Sequence, residues 1–139
     1  MAITQAMCTS FKAECLDEQH DLVADTIKIA LYTSSASLGA ATTAYTTSNE
    51  VANGNGYTTG GNTLANKVVS TSGTTAYFDS DDPEWTSASF TARGALIYNS
   101  TNSDKAIAVL DFGGDFTVSS GTFRIVFPAA GANAIIRIA

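Results

Sequence analysis

Four carboxylates crowd one short stretch of the chain, Asp79, Asp81, Asp82 and Glu84. Alternating acids of this kind are the raw material of a calcium loop. An EF-hand loop starting at Asp79 would need glycine at position 84 and a carboxylate at position 90, and the chain has Glu84 and Phe90 there. That motif is absent, and the expectation is a solvated acidic turn, with a weak irregular cation site as the alternative.

The remaining chemistry-bearing residues are few. His20, the single imidazole, lies between Gln19 and Asp21, and no Gly-x-Ser-x-Gly elbow accompanies it, so a serine or cysteine nucleophile with a histidine base has little support. Cys8 and Cys15 are seven residues apart, which on one helix is about 10 Å and beyond the roughly 7 Å reach of a disulfide. They are expected to be free thiols, and with one His and no Cys-x-x-Cys pair a zinc site lacks ligands. Gly54, Gly56, Gly60 and Gly61 are followed by no Gly-Lys-Ser/Thr, which makes them turn glycines rather than a phosphate loop. Tyr45, Tyr57, Tyr77 and Trp85 fit either a recognition surface or ordinary packing, and packing is the commoner fate. No catalytic, cofactor or metal residue is assigned, and no enzyme activity is expected.

Elements that would position these residues follow from periodicity. Ile3, Met7, Phe11 and Cys15 recur every four residues, which predicts an amphipathic helix from Ile3 to about Leu16, followed by a polar link from Asp17 to Ala24. From Asp25 to Tyr32 the apolar residues alternate as in a half-buried strand. Thr33 to Asn62 holds no sustained period and reads as an irregular loop, with a short helical turn around Thr47 to Ala52. Strands are predicted at Asn62 to Ser70 and Thr75 to Asp79, joined at Ser72-Gly73, before Pro83 marks a break or an edge. Phe90 to Asn99 and Lys105 to Phe112 form a hairpin around the polar connector 99–104, ended by Gly113-Gly114. Thr122 to Phe127 and Asn133 to Ala139 complete about seven strands. The fold class is mainly β, an antiparallel β-sandwich or barrel-like fold with one N-terminal helix, in a single domain spanning 1–139.

Composition narrows the partners. Of 139 residues, 45% are apolar and only 14% charged, so Thr, Ser, Gly, Ala and Asn supply most of the surface. Such a surface is either the solvated face of a β protein or one that other chains cover in an assembly, because neutral polar groups cost less to bury than charges. A net charge of −6 with seven dispersed Lys and Arg residues argues against nucleic acid. The first residues show no signal-peptide pattern and no window reaches the length of a membrane span, so the chain is expected to be used without Sec export and without a membrane partner.

Lys28-Ile-Ala-Leu-Tyr-Thr-Ser-Ser-Ala-Ser-Leu-Gly39, Asn49-Glu-Val51, Gly56-Tyr-Thr-Thr-Gly-Gly61, Phe90-Thr-Ala-Arg-Gly-Ala-Leu-Ile-Tyr-Asn99, Ala108-Val-Leu-Asp-Phe112 and Ile135-Ile-Arg-Ile-Ala139 carry a resemblance that runs nearly end to end. Together they resemble small virion structural proteins of tailed bacteriophages, most of all capsid decoration (cement) proteins. The resemblance implies a non-enzymatic protein on the capsid surface, made in the bacterial host cytoplasm, whose partners are the major capsid protein and copies of itself. A tail or tail-fibre component that binds the host surface is the alternative. No functional residues are implied, and the helix from Ile3 and the loop from Thr33 to Asn62 are expected to supply the contacts.

Overall fold

The structure is a computed structural model and describes residues 2–139. In chain order its elements are β1 (Ala6–Met7), α1 (Thr9–Leu16), β2 (Ile27–Tyr32), β3 (Asn62–Thr63), β4 (Val68–Ser72), β5 (Thr75–Asp79), β6 (Glu84–Asn99), β7 (Lys105–Arg124) and β8 (Ile136–Ile138). They form two antiparallel sheets, a five-stranded one in the order β1-β7-β6-β2-β3 and a three-stranded one in the order β4-β5-β8. Among the described residues the fold is mainly β with a single short helix, as the strand-like runs and the N-terminal apolar stripe predict. Both sheets keep open edges, so neither closes into a barrel.

The helix is shorter than its apolar stripe predicts. Residues 2–7 are extended instead: Ala6 lies opposite Val109, Met7 opposite Ala108, and Ile3 bridges Leu38 in parallel. A spacing of four residues puts side chains on one face of a strand as well as of a helix, because four is a multiple of two. Ile3 and Met7 obey the strand reading, whereas Phe11 and Cys15 obey the helical one. Phe11 is buried and Cys8, the residue before the helix, is fully buried.

β2 is covered on both faces. Ile27, Ile29, Ala30, Leu31 and Tyr32 are all inaccessible to solvent, so its alternation marks two kinds of covering rather than one wet and one dry side. It pairs with β6 in a regular register from Ile27↔Asn99 to Tyr32↔Gly94, and β6 pairs with β7 through Leu96↔Val109 and Ile97↔Ala108. Ile27, Tyr32, Leu96, Ile97, Ala108 and Val109, with Ile107, Phe78 of β5 and Ile136 of β8, belong to one buried cluster, so the two sheets share a core.

The hairpin does not stop at Gly113-Gly114. Gly94 faces Asp111 and Ala92 faces Phe116, so residues 112–115 loop out opposite Arg93 alone and the ladder resumes beyond them. Gly113, at φ 80°, takes a left-handed conformation that lets this bulge form. The strand predicted from Thr122 to Phe127 is therefore the far end of β7, ending at Arg124 opposite Glu84. In the other correction, the strand predicted from Asn62 to Ser70 is divided between the sheets. Asn62 and Thr63 pair with β2, Val68 to Ser72 pair with β5, and Asn66 at φ 54° turns the chain between them. Strand β6 starts directly after Pro83, whose missing N–H cannot join the ladder.

Candidate functional site

The loop from Thr33 to Gly61 has no regular element, yet it is fixed. Glu50 is the only charged residue between Lys28 and Lys67. Its carboxylate accepts hydrogen bonds from the hydroxyl of Tyr45 at 2.7 Å, the hydroxyl of Tyr57 at 2.5 Å and the backbone N–H of Gly60 at 2.7 Å. Tyr57 in turn accepts from the N–H of Leu31 at 3.0 Å, tying the cluster to β2. Two more tyrosines on the same sheet face reach outward to loop carbonyls, Tyr32 to Thr46 and Tyr98 to Gly60, each at 2.6 Å. The rings of Tyr45 and Tyr98 stack at 4.5 Å.

The cause lies in the sequence of β2 and β6. Tyr32 and Tyr98 point to the face on which Lys28 and Ala30 also lie, by strand alternation and by the Lys28↔Tyr98 pairing. Small Ala30 leaves room for the loop, and Gly61 approaches so closely that a Cβ there would stand 1.8 Å from the carbonyl oxygen of Ile29. Burial, reinforced by Glu50, raises the phenol pKa of Tyr32, Tyr45 and Tyr57 above the ordinary value, and burial followed by Asp104 and Glu50 does so for Tyr98. The four phenols stay protonated and serve as donors. The helical turn predicted at 47–52 does not form, since Asn49 adopts φ 62° and only the Glu50 N–H to Thr47 bond closes.

His20 sits at a second polar cluster. Its side chain is 1% exposed, with Nε2 2.9 Å from Glu14 Oε1 and Nδ1 3.0 Å from the side-chain nitrogen of Asn99. Asn99 Oδ1 accepts from the N–H groups of Thr101 and Asn102, which orients its amide so that Nδ2 donates both to His20 and to Asp25 Oδ2 at 2.8 Å. His20 Nδ1 is therefore an acceptor, and its Nε2–H donates a hydrogen bond to the Glu14 carboxylate. Both ring nitrogens are engaged within the chain. Phe11 packs against the ring at 5.0 Å, and Lys105 stands 3.8 Å from the other oxygen of Glu14. A polar cleft of about 560 Å³ adjoins, lined by Cys15, Glu18, Gln19, Asp21, Asp25 and Asn102 among others. Both cysteines are free; burial and then Glu14 push the Cys8 thiol up to about 11, and raise that of Cys15.

The acidic turn disperses its carboxylates. Asp81 accepts from the Asn66 amide, Asp82 from Arg124 at 3.2 Å and from the Phe127 N–H at 2.8 Å, and Asp79 lies in the β4–β5 ladder opposite Val68 with Oδ1 buried and unpartnered. Among the described residues no three His, Cys, Asp or Glu side chains converge as metal ligands. Asp82 instead fastens the chain after β7 back onto the turn before β6.

The aromatics form a chain running from core to surface. Tyr57 and Trp85 are buried and stack at 6.3 Å; Trp85 and Phe90 each meet Phe123, Phe123 meets Phe112, and Phe112 meets Phe116, which is 54% exposed. Tyr45 and Tyr77 are half-buried. The exposed end opens on an apolar groove of about 460 Å³ lined chiefly by Phe112, Phe116, Val118, Phe123, Ile125 and Val126. Of these features, Glu50 and the groove escape a motif search. An isolated carboxylate in a neutral, tyrosine-containing loop was the available signal for the first, and the groove depends on where β7 bends. No helix among the described residues is long and apolar enough to cross a membrane.

No family model matches the chain, and neither a curated protein nor a solved structure matches it.

Proposed function

We propose that the chain is a virion structural protein of a tailed phage that decorates the capsid, bridging neighbouring major capsid subunits and stabilising the head as part of a symmetric assembly. The observation that carries this reading is an internally braced scaffold with a sparsely charged and partly apolar exterior. Phe116, Val126, Val69 and Ile138 are more than half exposed, while the Ser- and Thr-rich loop 33–62 is held by the Glu50 cluster rather than left to order on binding. A pre-ordered surface loses little conformational freedom on docking, and weak contacts repeated over many copies sum to a firm attachment. Exposed apolar patches of this kind mark protein contacts.

Buried Trp85 and Tyr57 cannot serve the glycan-binding face that motivates the tail or fibre reading, which leaves half-buried Tyr45 and Tyr77 and the turn-rich loop as that alternative's support. Loop deletion is a poor test because Val51 and Tyr57 belong to the core. Co-sedimentation of the purified chain with capsids lacking it is the direct one. Saturating attachment with increased resistance of the heads to heat is expected, and heads that sediment bare would contradict the proposal.

A further inference from the structure

Strand β7 is paired on one side only over its outer half. Residues 116–124 ladder with β6, and their other edge has no neighbouring strand among the described residues, since β1 reaches only Ala108 and Val109. Such an edge presents a row of free N–H and C=O groups. The register skips one residue between Val118 and Gly121, with Ser120 at φ 50°. A one-residue bulge inverts strand alternation, so Phe116 and Val118 before it keep the same orientation as Gly121 and Phe123 after it.

That inversion makes the edge self-complementary. An antiparallel copy centred on the Ser119–Ser120 bulge faces Phe116 with Phe123, Thr117 with Thr122 and Val118 with Gly121, and brings Asp115, the last residue of the 112–115 bulge, beside Arg124. Asp115 is exposed, and Arg124 remains 56% exposed despite its contact with Asp82. Displacing the copy by two residues loses the opposition of charges, and a parallel copy sets Asp115 against Asp115. Of these three registers, the centred antiparallel one alone unites opposite charges at both ends with aromatic pairs between them.

We infer that this edge and the apolar groove beside it are where two copies of the chain meet, about a two-fold axis through Ser119 and Ser120. The contact is isologous, so each copy's edge is consumed and the assembly closes as a dimer instead of growing into a fibre. It deepens the proposed function and rests on it in taking a like copy as the partner, but its test needs no capsid.

Sedimentation equilibrium of the purified chain over a wide concentration series reads the association directly. The wild type is expected to dimerise, and Arg124→Glu or Asp115→Lys alone to weaken dimerisation by about tenfold, because each symmetric contact contains two such pairs. Combining the two substitutions is expected to restore it. The double variant does not restore the internal Asp82–Arg124 contact, so recovery reports on the pairing between copies. Phe116→Ser, at an exposed position, gives a second reading should a charge variant misfold, and is expected to favour the monomer. A wild type that stays monomeric throughout, a double variant no better than the singles, or a dimer indifferent to Phe116→Ser overturns the interface. Capsid attachment by a monomer would leave the decoration reading standing without it, and a dimer that ignores capsids the reverse.

Discussion

The two halves of one long hairpin differ in nearly every physical respect. Near its connector, β6 and β7 are flanked by β2 and β1, and Leu96, Ile97, Ile107 and Val109 are inaccessible to solvent. Beyond the 112–115 bulge the same strands pair only with each other, Ser87 and Ser120 take left-handed conformations, and Phe116 is largely exposed. The inner half buys stability through burial on both faces. The outer half keeps apolar surface uncovered and twists through successive bulges, which is how an edge is kept from indiscriminate pairing. One hairpin thus combines a covered scaffold with an uncovered apolar surface.

Substitutions should separate the halves. Leu96→Ala in the inner half should cost about 3 kcal/mol, lowering the urea midpoint without changing the slope. Glu50→Ala, which strips the acceptor from two phenols and the Gly60 N–H, should cost roughly 2–3 kcal/mol, and increased amide exchange should be confined to the loop 44–61. Phe123→Ala, half-buried in the outer half, should cost about 1–2 kcal/mol. Phe116→Ser should change the melting free energy by less than about 0.5 kcal/mol while altering association. Equal costs for Leu96→Ala and Phe116→Ser would erase the distinction.

The smallest expected effect is on pH dependence. The Asn99 amide, and then the Asp21 N–H, hold the Asp25 carboxyl below its ordinary range. A depressed carboxylate contributes fully above the unfolded value, and that contribution fades as pH falls through the lower folded value. Urea midpoints measured from neutral pH downward should therefore fall less steeply for Asp25→Asn than for the wild type in that acid window.

The inner half was legible in the sequence because apolar runs such as Lys105 to Leu110 bracket an obvious polar connector. Its continuation was not, since Gly113-Gly114 mark a strand end and a wide bulge equally well, and only the partner strand decides. The N-terminal stripe misled for a similar reason: a repeat of four serves both helix and strand. The Glu50 and His20 clusters depend on long-range neighbours, Leu31 and Gly60 for one and Asn99 for the other, that no local spacing encodes.

Antibody labelling of intact particles tests the central claim most directly. With the chain on the capsid surface, gold label should cover the whole head in a number proportional to its area. Label confined to one vertex or to the tail, or absent from particles that contain the chain, would contradict the account.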